Sequence, residues 1–250
     1  MQLSGNTILI TGGTSGIGRA LAEAFYQCGN VVIIAGRRQK LLDEITASHP
    51  GMHGLALDVE DPDAMDAFAS HVKELFPKLN VLINNAGISK AEDLTKDVID
   101  VNVSRSIIQT NIVSVLHLTA TLLPTLKRKP SSTVIATTSG LAFVPRNNYP
   151  TYCASKAFLH SWLQSLRVQL RETSVDVLEL TPPYVQTELA GALQATDPNA
   201  MPLADFIAEV MQILDRGDTS NGEILVERVK ALRWADRHNN YDQMFSALNG

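Results

Sequence analysis

The feature that most constrains this chain is its rhythm. Short, continuously apolar runs alternate with longer amphipathic stretches along nearly the whole length. The apolar runs fall at 6–11, 31–35, 55–57, 81–84, 133–138, 175–180 and 223–226. Strands of a parallel sheet read this way because helices cover both faces and leave no wet side to alternate with. The stretches at 16–28, 39–47, 62–76, 98–127 and 152–173 carry the apolar period of helices. Asp61-Pro62 marks one helix start, an N-cap followed by a proline where no N–H is needed. Strand–helix alternation requires right-handed crossovers. The predicted class is therefore α/β, a doubly wound parallel sheet of about seven strands with helices on both faces. No linker rich in Pro, Gly or Ser and no fixed repeat breaks the pattern, so residues 1–250 read as a single domain. The less regular stretch 187–202 is a candidate lid.

The first strand leads into Thr11-Gly12-Gly13-Thr14-Ser15-Gly16-Ile17-Gly18 and then into the first helix. Glycines let a backbone turn tightly and approach a diphosphate closely. The helix N-terminus behind them offers unpaired N–H groups and a positive dipole end. The spacing of Gly12, Gly16 and Gly18 is longer than G-x-G-x-x-G, yet the physical logic is that of a Rossmann-like dinucleotide turn. The alternative is an ordinary Gly/Ser loop, which the strand–turn–helix setting argues against.

Tyr152 and Lys156 stand four apart in a helical stretch and share one face, with Ser139 thirteen residues upstream of the tyrosine. An ammonium held beside a phenol favours the phenolate, below the ordinary value of about 10. A nearby serine hydroxyl suits a substrate oxygen. Such a trio moves a proton on and off an alcohol or carbonyl and needs an electron acceptor.

In these motifs the chain resembles the short-chain dehydrogenase/reductase family in its compact form. Thr11 to Gly18 resembles the family's TGxxxGxG turn, Asn84-Asn85-Ala86-Gly87 its NNAG motif, and Ser139, Tyr152 and Lys156 its serine and YxxxK. The resemblance runs from about residue 6 to 190. It implies hydride exchange between a nicotinamide and a carbonyl carbon, with Tyr152 as proton donor or general base and Ser139 on the substrate oxygen. Lys156 would lower the phenol's pKa and hold the nicotinamide ribose, and Asn111 would order a water chain. It further implies that Gly12, Thr14, Ser15, Gly16, Ile17, Gly18, Asn85, Ala86 and Gly87 surround the cofactor. Asp58 and Val59 would lie at the adenine, and Pro182, Val185 and Thr187 at the carboxamide. Asp58 alternatively belongs to the turn leading to Asp61. Pro182-Pro183 departs from the family's Pro-Gly, and the second proline removes an N–H. Parts of the chain resemble a subgroup labelled DltE-like.

An NAD site places an acid at the end of the second strand. Here that end reads Ala35-Gly36-Arg37-Arg38, so NADP is the expected cofactor and NAD the alternative. Arg37 is the expected main contact with the 2′-phosphate and Arg38 its helper, since a guanidinium grips phosphate bidentately. The alternative leaves both arginines in solvent.

Leu141, Phe143, Val144, Tyr149, Pro183, Tyr184 and Leu189 are the candidate pocket lining. They suggest a small, largely apolar ketone, aldehyde or secondary alcohol, with no cation placed for an anion. A net charge of −5 and the lack of a basic stripe exclude a nucleic-acid surface. Two cysteines, Cys28 and Cys153, suggest free thiols in a reducing compartment. No signal peptide and no apolar run of about 18–20 residues are visible, so a cytoplasmic protein off the membrane is expected. His49 and His53 flank a helix-breaking Pro50-Gly51 and the other histidines look scattered, so no metal site is expected. Phe158 and Trp162 form a second apolar stripe suited to a homodimer or homotetramer, or to packing within the chain. A non-catalytic dinucleotide-binding redox sensor is the alternative function. An epimerase or dehydratase fits less well, for want of the extra substrate domain.

Overall fold

The sheet grows outward from its first strand in two directions. In the computed structural model, which describes residues 1–250 apart from the side chain of Ser220, seven parallel strands lie in the order β3-β2-β1-β4-β5-β6-β7. They are β1 Thr7–Thr11, β2 Val31–Gly36, β3 His53–Ala56, β4 Val81–Asn84, β5 Ser132–Thr137, β6 Val175–Thr181 and β7 Glu223–Leu225. The chain winds one way to β3, then returns to β4 beside β1 and winds the other way. That reversal opens a crevice at the carboxyl ends of β1 and β4.

Successive strand residues point to opposite faces, and both faces are apolar. Ile8 and Ile10 pack with α1 (Gly16–Gln27), α2 (Gln39–Ser48) and α7 (Leu203–Arg216) through Phe25, Leu42 and Phe206. Leu9 and Leu82 pack with α3 (Pro62–Leu75), α5 (Ser114–Leu126) and α6 (Pro150–Leu170) through Met65, Leu118 and Leu159. The remaining helices are α4 (Val101–Ile108), α8 (Lys230–Arg233) and α9 (Tyr241–Asn249).

The expected doubly wound sheet is present, with local differences. The third strand is His53–Ala56 rather than 55–57. The helix expected over 98–127 starts at Val101 and passes through a π-helical turn, Gln109–Val113, between α4 and α5. This whole stretch, Val101–Leu126, is long and apolar enough to cross a bilayer by length and composition, contrary to the reading of apolar runs. Its Ser and Thr residues break the runs without lowering hydropathy much. Here it lies on the sheet, with Val115, Leu118, Leu122 and Leu126 in the core. α7, a helix not among those predicted, carries a clear apolar period at Phe206, Ile207, Val210 and Leu214. The stretch 187–202 is tied across its base: Val185 bridges Met201, and Gln194 Nε2 donates to the Val185 carbonyl at 2.7 Å.

Asp61 caps α3 as expected, accepting from Asp63 N at 3.0 Å and Ala64 N at 3.1 Å. Asp61→Ala should cost about 1 kcal/mol, read as a lower denaturant midpoint at unchanged slope. A midpoint equal to that of the parent chain would contradict the capping role.

Candidate active site

The crevice is a cleft of about 510 Å³, and its floor depends on close backbone approaches. Gly12 and Gly16 adopt φ of 67° and 52°, a region that side chains disfavour. A Cβ on Gly12 would sit 2.9 Å from Ala86 Cα, and one on Gly18 would overlap the Asn85 amide and the Gly12 carbonyl. Thr11 Oγ1 accepts from the N–H groups of Asn85 and Ala86, both at 3.1 Å. Thr137 Oγ1 donates to Asn85 Oδ1 at 3.3 Å. The ends of β1, β4 and β5 are thereby stitched together. Ser15, the N-cap of α1, makes no capping hydrogen bond, which leaves the first-turn amides of α1 for an anion. A glycine floor plus an uncapped helix end fits a dinucleotide diphosphate.

All the cofactor contacts expected from the sequence line this cleft except Gly18 and Asp58. Gly18 serves packing beneath the turn, as its crowded Cβ position shows. Asp58 is exposed and accepts from Glu60 N at 3.0 Å, the turn role that its alternative reading named. Both arginines line the cleft, in different settings. Arg38 reaches over the glycine turn, donating to Thr14 Oγ1 at 3.0 Å and Ser15 Oγ at 2.8 Å. Arg37 lies 3.6 Å from Glu60 and is 60% exposed.

Tyr152 and Lys156 project from the first turns of α6 into the same cleft as Ser139. The Lys156 Nζ is 5.7 Å from the centre of the tyrosine ring and donates to the Thr137 carbonyl at 2.8 Å. Burial pushes the phenol up to about 12, against a smaller downward pull from hydrogen bonding with Ser139. Burial also pushes Lys156 down to about 8. The expected lowering of the phenol by Lys156 is therefore not what this site shows. Desolvation dominates, and the ammonium is spent on the Thr137 carbonyl rather than on the phenolic oxygen. Ser139 Oγ also accepts from Leu141 N at 3.1 Å.

Asn111 sits in the π-helical turn, fully buried. Its Nδ2 donates to the Ile88 carbonyl and Ser155 Oγ, both at 3.0 Å, and its Oδ1 accepts from Ile88 N at 2.9 Å. The side chain is thus committed to protein partners. A Cβ on Gly87 would lie 3.3 Å from Asn111 Oδ1 and 3.5 Å from Lys156 Nζ, so the two residues meet over that glycine.

The wall opposite differs from the expected apolar lining. Of the seven residues named for it, only Pro183 and Leu189 line the cleft, whose lining also holds Lys90 and Glu188. Val144 is fully buried. Phe143 turns its ring against His160 at 4.7 Å and beneath Arg233 at 4.6 Å. His160, one of the histidines that look scattered in the sequence, keeps only 17% of its side chain exposed. Its Nδ1 meets Glu179 at 2.8 Å and lies 4.0 Å from Glu223, three potential ligands in one cluster. Thr138 Oγ1 donates to Glu179 at 2.7 Å, and Arg233 Nη2 to Glu223 at 2.8 Å. The carboxylates there already have a cation and a hydroxyl. The helical spacing from Lys156 to His160 was the available signal. Trp162 packs into its own chain's core, whereas Phe158 is exposed.

A cradle for a diphosphate that ends at a desolvated proton donor equips a chain for dinucleotide-linked oxidation and reduction, and similarities to known proteins point the same way. Residues 6–198 match the family model described as short chain dehydrogenase. The chain is 40% identical over 251 residues to the uncharacterized oxidoreductase DltE of Bacillus subtilis (strain 168), covering 100% of this chain and 98% of that one. A short-chain dehydrogenase/reductase from Burkholderia phymatum in complex with NAD shares the fold at TM-score 0.82 and 20% identity, over 98% of this chain and 96% of that one. The closed form of a serine dehydrogenase complexed with NADP+ does so at TM-score 0.76 and 25% identity, over 83% and 88%. The chain belongs to the short-chain dehydrogenase/reductase family of NAD(P)-dependent oxidoreductases, on its DltE-like side.

The shifted pKa values fix a sign for stability. Lys156 titrates near 8 when folded, against an ordinary 10.5. Between those values the unfolded chain binds more protons, so stability rises with pH, and the penalty of the buried ammonium is complete below about 8. Tyr152 acts the other way between 10 and about 12, where only the folded chain keeps the proton. Without dinucleotide, Lys156→Met should stabilise the chain at pH 7 by roughly 1–3 kcal/mol, with the gain shrinking towards pH 10. A pH-independent change, or a loss at pH 7, would contradict this. Gly18→Ala should destabilise by about 1–3 kcal/mol and weaken dinucleotide binding, read by thermal unfolding and fluorescence titration. Unchanged values would show that the turn has slack.

Proposed function

We propose that the protein is a reductase, using NADPH to convert a small ketone or aldehyde to an alcohol. The observation that carries this reading is that Ser139, Tyr152 and Lys156 line one cleft with the glycine cradle. The bound cofactor would supply hydride at the carbonyl carbon. Tyr152, held protonated by burial, gives its proton to the developing alkoxide. Ser139 holds the carbonyl oxygen beside the phenol. Lys156 binds the cofactor ribose from its seat on the Thr137 carbonyl, and Asn111 holds the adjoining wall at Ile88. At neutral pH the buried phenol carries its proton, the state from which the reductive direction starts.

The preference for NADP is supported by the missing acid at the end of β2 and by Arg38 lying over the turn. Pro183 and Leu189 support an apolar substrate group, with Lys90 and Glu188 making the rest of the wall polar. A homo-oligomer in the cytoplasm completes the proposal, supported by exposed Phe158 and Val168 on α6 and by two free thiols.

Turnover is tested with a carbonyl panel followed at the nicotinamide absorbance. Tyr152→Phe should cut kcat by roughly 10²–10⁴-fold while dinucleotide binding stays within a few-fold. Arg38→Ala should weaken NADP binding by about tenfold or more and leave NAD nearly unchanged, with Arg37→Ala having the smaller effect. Equal affinity for both dinucleotides, unaltered by either substitution, would overturn the NADP assignment. A Tyr152→Phe protein as active as the parent would overturn the mechanism.

A further inference from the structure

The first turn of α6 carries Tyr152, yet it has no cap of its own. Tyr149 occupies the N-cap position without a side-chain hydrogen bond, and Pro150 has no N–H to give. The first amide that needs a partner is Thr151, one residue before the phenol. Glu92, far away in sequence, supplies that partner. Its Oε2 accepts from Thr151 N at 3.0 Å, and its Oε1 accepts from Thr151 Oγ1 at 2.8 Å. The same Oε1 accepts from Ser104 Oγ on α4 at 2.6 Å. The backbone N–H of Glu92 donates to the Asn148 carbonyl at 2.9 Å. One carboxylate therefore joins α4, α6 and the strip leaving β4, and its charge faces the positive end of the α6 dipole.

The strip has a second fastening at Ile88, whose N–H and carbonyl both bond the Asn111 side chain. Between the two fastenings lie Ser89 and Lys90, which line the cleft. Asn111 also bonds Ser155, whose hydroxyl donates to the Tyr152 carbonyl at 2.7 Å. Tyr152 is thus held from the N-terminal side through Glu92 and from the C-terminal side through Asn111.

We propose that Glu92 is a positioning residue: it caps the catalytic helix from another segment, and so fixes both the Tyr152 phenol and the Ser89–Lys90 wall in their working places. This rests on the reductase reading above. A carboxylate fits better than an amide or hydroxyl because three donors converge on two oxygens. Gln can still do the work, since one oxygen takes Thr151 N and the NH₂ group can donate to the two hydroxyls.

The test compares Glu92→Ala, Glu92→Gln and Tyr152→Phe in the full chain. Readouts are kcat and KM on whichever carbonyl the parent reduces, dinucleotide affinity, and amide hydrogen exchange over residues 151–155. Glu92→Ala should lower kcat by roughly 10–100-fold, the cost of a misplaced reacting group, with dinucleotide affinity within about twofold. Its 151–155 amides should exchange about tenfold faster or more, with the central strands unchanged, because a helix end without its cap frays. Glu92→Gln should recover kcat to within about threefold and restore slow exchange. A Glu92→Ala protein with parental kcat while Tyr152→Phe is inactive would overturn the inference alone. So would a loss in kcat matched by lost dinucleotide affinity and not rescued by Gln. If the parent turns nothing over, the reductase reading fails, and exchange at 151–155 unaltered in Glu92→Ala overturns the clamp as well.

Discussion

Burial of a phenol and an amine in one cleft is the constraint on which the rest of this structure depends. Tyr152 and Lys156 are almost wholly withdrawn from water, and desolvation holds both towards their neutral forms. Such groups keep their place only where the surrounding structure leaves them little choice. The lysine is fixed by the Thr137 carbonyl at the end of β5. The tyrosine is fixed by a helix whose first turn begins at Pro150 and whose loose amide is taken by Glu92. The outcome is a proton source set against an apolar interior, ready for charge that develops on a neighbouring oxygen.

The sheet supplies the platform for this arrangement. Reversal of winding between β1 and β4 leaves their carboxyl ends open, and hydrogen bonds from Thr11 to the Asn85–Ala86 backbone close the floor. Glycines at 12 and 18 occur where another group passes too near for a side chain. Behind Ser139, Glu179 on β6 joins Thr138 to His160 on α6, and Arg233 on α8 pairs with Glu223 on β7. A buried ionic cluster of this kind is weak evidence for stability, because desolvation offsets much of its attraction. What it does here is fix geometry, since Thr138 next to Ser139 is held by Glu179.

Much of this was legible in the sequence. The places of the strands and of most helices follow from apolar runs and period, because a parallel sheet buried on both faces imposes those patterns directly. The pairing of Tyr152 with Lys156 is legible because helical spacing carries it, and Ser139 joins them through the family resemblance. Four features were not legible, for stated reasons. That Arg38 rather than Arg37 reaches the glycine turn depends on which way the chain turns after β2, which composition does not encode. The inward turn of Phe143 and Val144 follows from the short 3₁₀ turn Gly140–Ala142, too brief for any period to reveal. Burial of His160 needs β6 and β7 to be placed first. Glu92 meets Thr151 across 59 residues, and no local pattern marks such a cap.

The most direct measurement is an ultraviolet difference titration of the parent chain against Tyr152→Phe, without dinucleotide. The chain has five tyrosines, and the difference isolates one. The account predicts that this phenol stays protonated well past the ordinary 10 and ionises at about 12. Ionisation at or below 10 would mean that the ammonium, not desolvation, governs the site, and would contradict this account of how the phenol is held.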